Sequence, residues 1–248
     1  MRDALKAVAQ GVISVWSWFV LGVVVVLWLP MVAAVRLVTA PFDPGRYRAG
    51  FLFRKLAVVH QLLNPLWRFK VTGPVPADPR RPYVVVANHE SFVDILLLAH
   101  LPFEMKWLSK VEFFKIPFVG WLMRLAGDIP LVRGERASIE TALAACRDRL
   151  DKKVSVMIFP EGTRSTNGEL QRFKDGAFRL AIDAGVPVLP VAVHGTRHAL
   201  RKHDWRFGRV RAEARLLEAV PTDGLGPDDV AALRDRVRAR IAAELATM

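Results

Sequence analysis

Tyr83-Val84-Val85-Val86-Ala87 is a short apolar run, and Asn88-His89-Glu90-Ser91-Phe92-Val93-Asp94 follows it without a gap. The run is apolar at every position, too short for a helix and bounded by turn residues, so it reads as a strand buried on both faces. The same texture returns at residues 154–159, whose exit is Pro160-Glu161-Gly162-Thr163-Arg164-Ser165. Further short apolar runs lie at 106–109, 129–132 and 188–193, separated by stretches of helical character. Strands alternating with helices predict an α/β fold with a mainly parallel sheet flanked by helices, whose site lies beyond the carboxyl ends of the strands. Both polar stretches leave strands directly, which puts them on that one edge.

The clearest helix signal covers 138–150, where Ile139, Leu143, Cys146 and Leu150 share a stripe and Ser138 is placed to cap the start. Cys146 is therefore expected in the core. A last strand near 210–217 and an amphipathic helix from about Pro227, with Val230, Leu233, Val237, Ile241 and Leu245 on one side, complete the domain.

Upstream the texture is different. No charged residue occurs from Ala7 through Val35, a run that includes Trp16, Trp18 and Trp28 and is long enough to cross a bilayer as a helix. A cleaved signal peptide would have a shorter apolar region ending in small residues, whereas this one continues through Trp28-Leu29-Pro30-Met31. A retained anchor is expected. Pro30 would kink or interrupt it, so a re-entrant hairpin stands beside a full span. Basic residues flank both ends, Arg2 and Lys6 before it and Arg36, Arg46, Arg48, Arg54 and Lys55 after it, and they fix no orientation. From Arg46 to Phe69 basic residues alternate with Phe51, Leu52, Phe53, Leu56, Val59, Leu62, Leu63, Leu66 and Trp67 at helical spacing, which predicts an interfacial helix on anionic lipid. The proline-rich break at 73–79 closes this part. Two units follow: 1–70, a hydrophobic membrane anchor with its interfacial helix, and 71–248, the α/β domain with its carboxyl-terminal amphipathic helix.

Composition agrees. The 248 residues are 52% hydrophobic and carry a formal net charge of +12, a pairing that points to a membrane surface. No zinc-finger spacing, RNA-binding aromatic signature or purely basic helix supports nucleic acid as the partner. A single cysteine excludes an internal disulfide.

The polar stretches carry the chemistry. Ser91 and Asp94 fit a capping box for a helix beginning near Phe92, with His89 then an ordinary loop residue. Alternatively, Asp94 holds one imidazole nitrogen of His89 and leaves the other free to take a proton. Both can be true of one helix start. Around Gly162, the backbone amides, the Thr163 hydroxyl and the Arg164 fork suit a phosphate, and the competing account is a surface turn with a local ion pair between Glu161 and Arg164. A base beside an anion site matches transfer onto a phosphorylated alcohol. His194, His198 and His203 with Asp204 fit no common metal spacing, and Gly195 interrupts any helix there, so no metal is expected. Lys110 and Lys174 follow motif-bearing strands or loops and are candidates for contact with phosphate or oxyanion. No Gly-x-Ser-x-Gly elbow occurs, which argues against a serine hydrolase built on Ser91.

In order and spacing across roughly residues 83–195, these blocks resemble the glycerolipid acyltransferases, the family typified by 1-acyl-sn-glycerol-3-phosphate acyltransferase. Asn88, His89 and Asp94 match its first block. Gly127-Asp128-Ile129-Pro130-Leu131-Val132-Arg133 looks like its second, without the aromatic residue often found there. Residues 159–165 match the third, and Val186-Pro187-Val188-Leu189-Pro190-Val191 the fourth. The amino-terminal apolar segment is similar to the membrane-binding helices of bacterial members.

The resemblance implies transfer of a fatty acyl group from acyl-CoA or acyl-carrier protein to the sn-2 hydroxyl of lysophosphatidic acid, giving phosphatidic acid, with no cofactor. His89 and Asp94 are then catalytic, while Glu161, Gly162, Thr163, Arg164 and Arg133 hold the acceptor phosphate. Asn88, Ser91, Lys110 and Lys174 support them. It also implies an inner-membrane enzyme whose catalytic domain faces the cytoplasm, in contact with membrane lipid. Glycerol 3-phosphate, lysophospholipids with a head group and lyso-ornithine lipid are alternative acceptors. A non-catalytic membrane scaffold of the same fold is the other class, and the intact histidine and aspartate argue against it.

Overall fold

The computed structural model describes residues 2–165, 167–201 and 204–248, with side chains from residue 7 onward. Two helices come first, α1 (Arg2–Thr39) and α2 (Tyr47–Leu62), then the strand β1 (Trp67–Thr72). The alternating part runs β2 (Val84–Ala87), α3 (Asp94–Leu98), β3 (Met105–Lys110), a short 3-10 helix (Val111–Lys115), α4 (Val119–Ala126), β4 (Ile129–Leu131), α5 (Arg136–Asp151), β5 (Ser155–Ile158), α6 (Gly176–Ala184) and β6 (Val188–His194). The chain ends with β7 (Val210–Leu216), a 3-10 turn (Pro227–Asp229) and α7 (Val230–Leu245).

The strands form one seven-stranded sheet in the order β1-β7-β6-β2-β5-β3-β4. From β6 to β4 the strands are mutually parallel, while β7 is antiparallel to β6 and β1 is parallel to β7. Successive residues of the central strands enter two cores, which is why these strands are apolar throughout. Val84, Val86, Val156 and Ile158 pack with Ala142 and Cys146 of α5, Phe178 of α6 and Val237 and Ile241 of α7. Val85, Ala87, Met157 and Val191 pack on the other face with Leu97 and Leu98 of α3. Burial pushes the Cys146 thiol up to about 12, as befits an inert core side chain.

Five expectations need correction. The helical reading of 46–69 runs too far: α2 ends at Leu62, and Trp67 opens β1, buried against Phe69 and Phe207. Within α2, Arg54 is buried and paired with Asp128, so it is withdrawn from lipid. The α5 helix begins at Arg136 without a side-chain cap, and Ser138 Oγ instead accepts the Val132 N–H at 2.9 Å, tying the exit of β4 to the helix. Ile139 is 40% exposed because it lines a side cavity and not the core. Finally, α1 continues through Pro30, and the chain reverses at 40–46.

The α1 helix is bound to the domain along much of its length. Ser14 Oγ accepts the Phe207 N–H at 2.9 Å, and Trp18 donates to the Trp205 carbonyl at 2.8 Å. His60 of α2 contacts the Ser17 carbonyl at 3.1 Å, and Trp28 donates to the Leu52 carbonyl at 2.7 Å. Val20, Val24 and Val32 bury against Ala49 and Leu56 of α2 and Leu122 of α4. The opposite side presents Val12, Val15, Trp16, Phe19, Val26 and Leu27 to the surroundings.

Candidate active site

The two polar stretches meet at the carboxyl edge of the sheet because β2 and β5 are adjacent and parallel. They are also stitched together. The Ser165 N–H donates to the His89 carbonyl at 2.8 Å, and the His89 N–H donates to Glu161 Oε1 at 2.9 Å. On the other side, the Asn88 amide bonds both the N–H and the C=O of Val193 at 2.8 Å, splinting the end of β2 to β6. His89 thus sits on a backbone fixed from both neighbouring strands.

Its ring is fixed as firmly. Nδ1 lies 2.7 Å from Asp94 Oδ2, and the ring stacks on Phe159 with centroids 3.9 Å apart and planes 14° from parallel. Asp94 Oδ2 also accepts the N–H groups of Glu90 at 2.7 Å and Ser91 at 2.9 Å, while the Thr196 hydroxyl donates to Oδ1. A carboxylate taking amide protons at Oδ2 is an acceptor there, so His89 Nδ1 carries a proton, and Nε2 is the ring nitrogen that has the lone pair in the neutral form. The capping contacts and the imidazole contact are made by one carboxylate. Ser91 Oγ accepts the Val93 N–H at 3.3 Å, which is a structural use of that hydroxyl.

Glu161 is buried, and burial pushes its carboxyl up to about 7 against the hydrogen bond from His89. It holds the histidine backbone and forms no ion pair with Arg164, so the local-pair account of this turn fails. Its Oε2 is buried without a partner. Glu90, beside His89, is likewise pushed up to about 7, first by burial and then by the neighbouring Asp94 charge.

Arg133 and Arg164 reach the same cavity, about 620 Å³, with Glu90, Thr163 and Ser165 in its wall. The tight turn needs Gly162, whose φ is +74°. Lys174 Nζ lies over Gly162, and Lys174 also borders a smaller apolar cavity of about 160 Å³ lined by Leu108, Leu131, Ile139, Leu143 and Phe159. Lys110 lies apart, in an exposed pair with Glu112 at 3.2 Å, an arrangement that contributes little. His194 ends β6 and His198 lies in the wall of the large cavity, while His203 is outside the described residues.

Sequence reasoning missed Thr196, Glu90, Arg197 and Arg201. Gly195, with φ +87°, turns the chain at the end of β6 so that Thr196 points at Asp94 and the next turn closes the large cavity. The signal available was the Gly-Thr pair at a strand exit, which has meaning only once β6 is known to lie beside β2.

The fold is a mainly parallel α/β sheet with a histidine–aspartate pair at its carboxyl edge, and the comparisons give its family. The family model described as Acyltransferase matches residues 68–194, and the chain belongs to that family. It is 40% identical over 175 residues to 1-acyl-sn-glycerol-3-phosphate acyltransferase alpha of Ovis aries, an alignment covering 69% of this chain and 60% of the relative. The mouse protein of that name is 39% identical over 199 residues, covering 78% of this chain and 69% of the relative. The chain thus spans about three fifths of the length of the sheep relative. The crystal structure of the 1-acyl-sn-glycerophosphate acyltransferase PlsC from Thermotoga maritima superposes with a TM-score of 0.79 at 26% identity, covering 97% of this chain and 98% of that one.

Proposed function

We propose that this chain transfers a fatty acyl group from an acyl thioester, acyl-CoA or acyl-carrier protein, to the sn-2 hydroxyl of 1-acyl-sn-glycerol 3-phosphate, forming phosphatidic acid. The observation that carries the reading is a histidine held by Asp94 at one strand edge, whose chain neighbour Glu90 and backbone partner Ser165 line an arginine-walled cavity. His89 Nε2 takes the proton of the acceptor hydroxyl as the oxygen attacks the thioester carbonyl, and Asp94 stabilises the imidazolium. A general base of this kind contributes on the order of 10²–10⁴-fold. When the tetrahedral intermediate collapses, the carbon–sulfur bond breaks and the imidazolium returns its proton to the leaving thiolate. Arg133, Arg164 and Thr163 hold the acceptor phosphate, which fixes the hydroxyl near His89 and makes orientation the second large term. The apolar cavity beside Phe159 takes acyl chain. No cofactor or metal enters these steps.

The membrane reading belongs to the same proposal. A helix held against the domain from Gln10 to Val35 has one free apolar side, and that geometry suits lying in one leaflet better than crossing two. The expected boundary at 70/71 moves ahead of β1, since Trp67–Thr72 pairs with β7 in the sheet; α1 and α2 then form a membrane-binding arm on the α/β domain, and the chain works on the cytoplasmic face of the inner membrane.

The test is to incubate purified protein with labelled acyl-CoA and a panel of lyso-lipids and to weigh the products. Phosphatidic acid formed from lysophosphatidic acid well ahead of acceptors lacking a phosphate monoester supports the proposal, and preference for a different acceptor class overturns it. Co-flotation with anionic vesicles checks the arm, since recovery of the full chain in the soluble fraction contradicts it.

A further inference from the structure

A second cavity, about 300 Å³, adjoins the first and shares His198 and Arg201 with it. Its other wall residues include Gln10 of α1, Arg206 and Arg209, with Asp204 the one acidic side chain. That acid is already engaged: Arg206 Nε and Nη2 approach its two oxygens at 3.1 and 3.2 Å. Among the described residues, Arg201 and Arg209 have neither an ion pair nor a side-chain hydrogen bond. The cavity therefore keeps two guanidinium groups without a hydrogen-bonded acid, Arg209 and, within the field of Asp204, Arg201, a provision suited to a phosphate.

Its position matters as much as its charge. Three side chains of α1 grip the segment that carries it: Gln10 donates to the Phe207 carbonyl at 3.0 Å, Ser14 accepts from Phe207 and Trp18 donates to Trp205. Trp205 itself is 52% exposed, next to arginine, as an aromatic anchor at a bilayer surface would be. A continuous cationic track therefore leads from the root of the apolar helix through Arg209 and Arg201 to Arg164 and Arg133, in the cavity that Glu90 and Ser165 also line.

We propose that the cavity between Arg201 and Arg209 is an outer phosphate subsite, which receives the phosphate monoester head group of the lysolipid acceptor at the bilayer surface before it enters the inner cavity. This rests on the reading of the acceptor given above. Stationing cations along the entry path raises local acceptor concentration and keeps the phosphate paired as it leaves bulk water. The concavity favours a small phosphate group over the broad acidic surface of a carrier protein.

The test compares full-length wild type, Arg209→Gln, Arg201→Gln with Arg209→Gln, and Arg209→Lys, all in vesicles of zwitterionic lipid carrying increasing mole fractions of lysophosphatidic acid. The expected result is an acceptor KM raised about five- to tenfold in the double variant, the scale of a lost charge-assisted contact, with partial recovery in Arg209→Lys. The KM for acyl-CoA should move less than about twofold, and added 3′,5′-ADP should compete equally with wild type and variant. A raised donor KM would assign the cavity to the nucleotide phosphates of the donor and overturn the proposal. Unchanged constants for both substrates would overturn it too, as would a loss of vesicle binding in the absence of acceptor, which would make these arginines a bulk lipid contact. If the wild type itself fails to use lysophosphatidic acid, it is the functional reading that falls, before any variant is compared.

Discussion

At the amino edge of the sheet, where β3 and β4 begin, Arg54, Glu104, Lys106 and Asp128 form a closed cluster; at the carboxyl edge, Arg133, Arg164 and Arg201 face open cavities. In the closed cluster Arg54 binds Asp128 in a fork and also reaches Glu104 at 3.5 Å and the Met105 carbonyl at 3.2 Å. Lys106 Nζ, fully buried, bonds Glu104 at 2.9 Å and the Arg46 carbonyl at 2.8 Å. Burial pushes the Lys106 ammonium down and the Glu104 carboxyl up, and each is opposed by the charge of the other. Charges of one protein paired with each other hold parts together, here α2 against the sheet, with only Arg54 Nε and Glu104 Oε2 of this cluster left without a partner. Cations left facing a cavity are complete only with an anion from outside. The same residue type therefore has opposite meanings at the two edges, and the partners decide which.

The largest expected separation comes from one variant at each edge. His89→Ala should lower turnover by about 10²–10⁴-fold. It should leave the melting temperature little changed, because Asp94 keeps its bonds from Glu90, Ser91 and Thr196. Arg54→Met should do the reverse. It strands Asp128 as an unpaired buried acid and leaves Glu104 with Lys106 alone, for a loss of about 3–5 kcal/mol of stability, with activity per folded molecule close to wild type. Urea melts and initial rates on both proteins read this out, and a stable but inactive Arg54→Met would erase the distinction between the edges.

That distinction was only half legible in the sequence. The central strands stood out because burial on both faces makes them apolar throughout, and His89, Asp94, Glu161 and Arg164 stood out because each lies within a few residues of a strand exit. β1 was hidden: Arg68 and Lys70 alternate with Trp67 and Phe69 on an edge strand, and the preceding helix has the same mixture. Arg54 could not be told from a lipid-facing arginine, since helical spacing says nothing of an aspartate far along the chain. Thr196 and Arg201 join the site only through the crossover that lays β6 beside β2.

Smaller effects sharpen the carboxyl edge. Thr196→Val removes one donor from Asp94 and should slow turnover roughly two- to tenfold, with Thr196→Ser restoring most of it. An equal loss in the serine variant would point to packing and not to the hydroxyl. Glu161 gives a pH signature. Its carboxyl rises from the ordinary 4.5 to about 7 in the fold, so its contribution to stability is complete in acid and is lost as pH rises through about 7. Glu161→Gln keeps an acceptor for the His89 N–H and does not titrate. Between roughly pH 5 and 8 the melting temperature of wild type should fall relative to the variant by about 6–12 °C, the scale of roughly 3 kcal/mol for a chain of this size. Parallel pH curves would show that the carboxyl is not held up by burial.

The claim that the open cations await a phosphate is tested most directly at Arg164. Arg164→Lys keeps the charge and loses the planar fork, so apparent affinity for lysophosphatidic acid should fall by roughly ten- to a hundredfold while the KM for the acyl donor holds. With an acceptor identical except for the missing phosphate, wild type and variant should perform alike. Equal losses on both acceptors would contradict the account, because Arg164 would then support the fold or the donor and not the phosphate.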